Sequence, residues 1–109
     1  MKVDKLLKEI LERAGYPVAR LRYRGTDRCY IVYSLLWSRD RNFADDSNHC
    51  VEYCYNIHIF SKSDYLALIE KIKRDLKDAE FNEVTVDAEM FESDTNYYHA
   101  VISAKYMEV

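Results

Sequence analysis

Between Val51 and Ile59 the side chains alternate: Val51, Tyr53, Tyr55, Ile57 and Ile59 on one side, Glu52, Asn56 and His58 on the other. A period of two predicts a strand with one buried face. Such a strand obliges the rest of the chain to supply neighbouring strands and a cover for the apolar side. Two segments with helical spacing can be that cover. The first places Val3, Leu6, Leu7, Ile10, Leu11 and Ala14 on one stripe and ends at Gly15 and Pro17. The second carries Tyr65, Leu68, Ile69, Ile72 and Leu76 and runs to about Ala79, with Ser61 and Asp64 at capping-box spacing before it.

The remaining segments read as strands. In Val18–Arg24, Arg20, Arg22 and Arg24 point one way and Ala19, Leu21 and Tyr23 the other. Gly25-Thr26-Asp27 predicts a turn into the β-prone run Cys29–Trp37, so these two strands are expected to form a hairpin. Apolar residues on both sides of the second run predict a central strand. Val84, Val86, Ala88 and Met90 alternate with Thr85, Asp87 and Glu89, and Tyr98, Ala100, Ile102, Ala104 and Tyr106 follow after a loop at 92–96. The expected fold is α+β, a single domain over residues 1–109. Its order is α-β-β-β-α-β-β, with an antiparallel or mixed sheet of four to five strands and two helices on one face.

Chemistry is sparse. His49, Cys50, Cys54 and His58 lie close in sequence, but strand positions four apart are separated by roughly 13 Å. That distance excludes one tetrahedral zinc and a Cys50–Cys54 disulfide while the strand is intact. A cross-strand His58–His99 pair is the remaining arrangement, against the plainer expectation of two exposed histidines. The chain has two glycines, no phosphate-cradling loop and no nucleophile elbow, so neither an enzyme nor a cofactor is expected. Three cysteines point to a reducing compartment, and no apolar run reaches the roughly 20 residues of a membrane span. A cytoplasmic protein is expected.

The net charge of −3 argues against a nucleic-acid binder. The order α-β-β-β-α does match a double-stranded-RNA-binding domain, which is the alternative reading. The start of the second helix, however, reads Ser63-Asp64-Tyr65 where basic residues would be needed. Cross-strand pairing with Glu52, Asp87 or Glu89 is the expected fate of the arginine stripe.

Charge is unevenly spread. Residues 1–62 hold 11 Lys/Arg and 8 Asp/Glu, giving +3, and residues 63–109 hold 5 and 11, giving −6. Ten tyrosines and four phenylalanines are many for this length. Tyr30 and Phe60, with Phe91, are expected on the face opposite the helices, where aromatic residues favour association. The polar stretch 38–50 reads as a long connection, functional or mobile.

The stretches Tyr30-Ile31-Val32-Tyr33, Phe43-Ala44-Asp45-Asp46, Tyr55–Tyr65 and Glu92–His99 together give a family likeness. Over nearly its whole length the sequence resembles the tail completion and tail terminator proteins of long-tailed bacteriophages and prophages. It departs at Ala79-Glu80-Phe81, where a glycine commonly precedes the aromatic. The resemblance implies a structural protein that forms a ring, typically a hexamer, on the tail tube. That ring stops tube growth and offers a surface for head joining; another phage neck or tail-tube component is the alternative under the same resemblance. Its implied partners are further copies of itself, the tail tube protein and a head-completion or connector protein, with no membrane and no sequence-specific nucleic acid. On charge and exposure the interface candidates are Arg20, Arg22, Arg24, Tyr30, Arg39, Arg41, Phe43, Asp45, Asp46, Phe60, Asp87 and Glu89.

Overall fold

A computed structural model describes residues 2–42 and 49–109. Helix α1 spans Lys2–Glu12 and strand β1 Val18–Arg20. Strands β2 (Cys29–Asn42) and β3 (His49–Ser61) are long, helix α2 spans Leu66–Asp78, and β4 (Asn82–Glu92) and β5 (Tyr97–Glu108) complete the order. The five strands form one sheet ordered β1-β2-β3-β5-β4. This is the expected α-β-β-β-α-β-β arrangement. No helix among the described residues is long and apolar enough to cross a membrane.

Both helices lie on one face. Val3, Leu7, Ile10 and Leu11 of α1 and Leu68, Ile69, Ile72 and Leu76 of α2 are buried. Beneath them, Ile31 and Tyr33 of β2, Tyr53, Tyr55, Ile57 and Ile59 of β3, and Ala100, Ile102 and Ala104 of β5 join one core. The alternation read in β3 and β5 is therefore the one observed. The Tyr55 hydroxyl donates to Asp4 Oδ1 at 2.6 Å, so the fully buried phenol of this core is satisfied from α1.

Three local expectations are corrected. First, β1 and β2 form no hairpin: β1 runs parallel to β2, with Val18 opposite Ile31 and Arg20 opposite Tyr33. Only three residues, roughly 10 Å of strand, must be retraced, so residues 21–28 are enough to double back.

Second, the polar stretch after Trp37 is largely strand. β2 and β3 pair from Cys29↔Ser61 out to Asn42↔His49, with a bulge between Leu35 and Trp37. The bulge adds Leu36 and reverses which side chains face the helices, so the alternation read up to Leu36 does not continue through it.

Third, Ser61 and Asp64 form no capping box. Ser61 Oγ accepts from Ser63 N at 3.2 Å, and Asp64 Oδ1 accepts from Leu66 N at 3.0 Å. The helix starts a turn later than that spacing implies. Its other end closes as a Schellman motif, with Phe81 N donating to Leu76 O and Glu80 N to Lys77 O, both at 3.0 Å. Glu80 sits at φ +70°, where a glycine would be unstrained.

Candidate functional site

Among the described residues no helix covers the reverse of the sheet, and its side chains form rows across the strands. Tyr30, Phe60 and His99 make one row, with Met90 from β4. Val32, His58, Val101 and Ala88 make the next, and Ser34, Asn56, Ser103 and Thr85 a polar third. Trp37, Cys54 and Lys105 follow, then Arg39, Glu52 and Met107. Cys50, Cys54 and His58 thus share a face, as their spacing required.

The first end is a stack of rings. Tyr23 lies on Tyr30 (centroids 4.2 Å apart), Tyr30 on Phe60 (4.8 Å) and Phe60 on His99 (4.1 Å). Tyr97 meets Tyr30 and Phe60 edge-on, with the Lys62 ammonium 4.2 Å above its ring. Tyr23 belongs to residues 21–28, a strap that folds over this end. The Tyr97 hydroxyl donates to Asp27 O at 2.7 Å and the Tyr23 hydroxyl to the Asp27 carboxylate. A β-carbon at Gly25 would collide with the Tyr23 ring, so the strap needs glycine there to seat that ring undisturbed. Leu21, Arg22 and Tyr23 close one side of a 320 Å³ hollow whose floor is Tyr30, Val32, His58, Phe60 and His99.

The two histidines are neither exposed nor separate. His58 Nδ1 lies 2.7 Å from His99 Nε2. On its far side, His99 Nδ1 lies 3.3 Å from Glu92 Oε2. That nitrogen is buried and has no aligned hydrogen-bond partner among the described residues. Burial, and then the neighbouring His99, push His58 below the ordinary histidine value.

The other end is ionic. Arg39 Nε and Arg41 Nη1 both reach Glu52 Oε1, at 3.0 and 3.1 Å. The Glu52 side chain is 8% exposed, whereas those of the arginines are 55% and 42% exposed. Burial drives the Glu52 carboxyl upward, but the hydrogen bonds and charges of the two arginines more than offset this and hold it below the usual range. Arg39 also lies 4.8 Å over the Trp37 ring.

Of the predicted interface residues, the structure brings Tyr30 and Phe60 together, and Arg39 with Arg41. It does not bring Arg20, Arg22 and Arg24 into one strand stripe. The strand ends at Arg20, Leu21 has φ +67°, and Arg22 N turns back to Arg20 O at 2.7 Å. Glu52 is therefore met by Arg39 and Arg41 and not by the earlier arginines. Asp87 is the extra residue of a bulge between Val86 and Ala88, and its carboxylate accepts from Thr85.

The same bulge reverses the β4 alternation. Glu89 and Phe91 consequently turn to the helix side, where the Tyr65 hydroxyl donates to Glu89 at 2.7 Å and Phe91 packs on Tyr98. Phe91 is thus not on the open face. Burial and the Glu89 carboxylate push the Tyr65 phenol up to about 12. Phe43, Asp45 and Asp46 lie outside the described residues. Sequence reasoning missed Tyr23, Glu92, Tyr97 and the Glu52 clamp, because no periodicity links residues that meet across strands or through a strap.

Both outer edges of the sheet are open among the described residues. β1 covers β2 only as far as Tyr33, leaving the residues from Ser34 onward without an outer strand, and β4 has no outer neighbour. The β1–β2 edge carries Arg20, with Arg39 and Arg41 on Glu52 further along; the β4 edge carries Glu83, paired with Lys105, and Asp87 and Glu89.

No family model matches the chain, and no curated protein matches it. Among solved structures it is similar to a chain described as "Virion of native gene transfer agent (GTA) particle". The identity is 13% and the TM-score 0.42, over 100% of this chain and 89% of that one. At that TM-score the likeness carries no argument about fold or role.

Proposed function

We propose that this chain is a non-catalytic virion protein that assembles head to tail into a ring closing the end of a phage-type tail tube. The sequence resemblance names the role. The single structural observation that supports it is the pairing of two unlike open edges, one rich in arginine and one rich in carboxylates. A ring needs a heterologous contact in which one patch meets a different patch on the neighbour. Unlike charge at the two ends of one sheet favours that contact over a two-fold one, since like edges would repel.

Strand direction agrees. β2 and β4 run antiparallel within the sheet, separated by β3 and β5. A cyclic neighbour therefore presents its β2 edge antiparallel to β4. The exposed Leu36 on one edge and Val86 on the other add apolar area.

Arg20→Glu and Asp87→Lys test this reading, because each is exposed on an outer strand of the sheet. Each alone is expected to weaken ring formation on added tail tubes at least about tenfold, and an equimolar mixture of the two single variants to recover part of it through the swapped pair. Sedimentation of the protein with and without tubes is the measurement. Unchanged assembly by both single variants removes the charge-paired ring.

A further inference from the structure

The aromatic end of the open face holds a titratable group that the ring proposal does not use. Two imidazole nitrogens 2.7 Å apart have room for one hydrogen between them. With one proton there, His58 Nδ1 or His99 Nε2 donates and the other accepts. Adding a single further proton to the pair preserves the contact, because it goes to an outward nitrogen. Adding a second makes both rings imidazolium, and two N–H groups then face each other head-on. The pair must separate.

The surroundings decide which ring moves. His99 is held on one face by Phe60, ring centroids 4.1 Å apart, and lies beside Glu92 at 3.3 Å. His58 stacks more loosely on Phe60, ring centroids 6.4 Å apart, and borders the 320 Å³ hollow that Leu21, Arg22 and Tyr23 of the strap also line. The charged and titratable groups around the pair come from several elements. Glu92 comes from β4, Tyr97 from β5, Tyr30 from β2 and Lys62 from just past the end of β3; Arg22, Tyr23 and Asp27 come from the strap. Arg22 repels an arriving imidazolium, and Leu21, already at positive φ, sits where the strap leaves β1.

We propose that His58 and His99 form a proton-operated latch on the 21–28 strap: the hydrogen-bonded pair keeps the strap seated, and double protonation drives His58 into the strap and unseats it. Loosening the strap withdraws Tyr23 from Tyr30 and uncovers the Tyr30–Phe60 rings, so the open face presents more apolar area in acid than at neutrality. The latch stands or falls independently of ring formation.

Nuclear magnetic resonance of the full chain between pH 8 and 5 tests it, reading the imidazole carbons of both histidines and the amides of Leu21 and Gly25. The two histidines are expected to titrate in two macroscopic steps at least about one unit apart, with the strap amides following the lower step. His58→Gln, which keeps a neutral side chain of similar reach, is expected to leave one step and a stationary strap. Independent titration of the two rings within about half a unit of each other overturns the latch, as does a strap that shifts identically in His58→Gln. If His58→Gln fails to fold by circular dichroism, His99→Gln serves the same comparison, and the wild-type step separation alone still decides.

Discussion

Each strand of this sheet shows one face to the helices and one to solvent, and the two faces hold together by different forces. On the covered face Ile31, Ile57, Ile59 and Ile102 are essentially inaccessible and meet α1 and α2 in a single core. On the open face the strands present a ring stack, a polar row and an ion cluster, joined by specific contacts, with the rings and the arginines partly exposed. Apolar burial is roughly proportional to area and insensitive to detail, so the covered face carries stability. Directional contacts depend on particular atoms, so the open face is the one suited to the recognition proposed for this chain.

The sharpest way to break this contrast is to truncate neighbouring residues of one strand. Ile57→Ala removes a fully buried side chain and is expected to cost about 2–5 kcal/mol in urea unfolding. Asn56→Ala, one residue away on the open polar row, is expected to stay within about 1 kcal/mol. Comparable losses at the two positions would mean that the open face is structural.

A smaller effect is expected at the far end of the hairpin. Replacing Arg39 and Arg41 together by alanine leaves Glu52 without its partners in a poorly solvated place. Residues 38–41 and 50–53 should then lose amide-exchange protection while the helices keep theirs. The sign of the pH effect follows from the carboxyl. Its folded value lies below the ordinary 4.5, so the folded state binds fewer protons than the unfolded chain. Its contribution is therefore present above pH 4.5 and lost as pH falls through the folded value. Acid unfolding curves of wild type and double variant should converge at low pH. Parallel curves would assign the acid sensitivity elsewhere.

What was legible in the sequence divides along the same line. The helical stripes and the alternation of β3 and β5 come from apolar periodicity, and these are the elements that build the covered face. Where a bulge intervenes, at Leu36 and at Asp87, periodicity misleads. A reading made straight through it puts Phe91 on the wrong side and ends β2 early. The outer half of the β2–β3 hairpin is held by arginines on Glu52 in place of apolar alternation, so it reads as loop. His58 and His99 lie 41 positions apart and meet only because β3 and β5 are neighbours, although β4 precedes β5 in the chain. Sequence order does not announce that insertion.

The smallest predicted effect separates the two faces most cleanly. Glu80 holds the left-handed position of the α2 cap, from which Phe81 enters the core above Leu76. A side chain at φ +70° is strained by roughly 1–2 kcal/mol, and glycine at that position is not. Part of the relief is offset by the greater freedom of glycine in the unfolded chain, so Glu80→Gly is expected to stabilise the protein by roughly 0.5–1 kcal/mol. Glu80 lies in the turn between α2 and β4 and is none of the proposed interface residues, so tube-dependent assembly should be unchanged at equal folded concentration. A stabilised protein with altered assembly would show that the helix-side cap communicates with the recognition surface and that the two faces are not independent. A destabilised one would mean that the unfolded-chain entropy outweighs the strain at this turn.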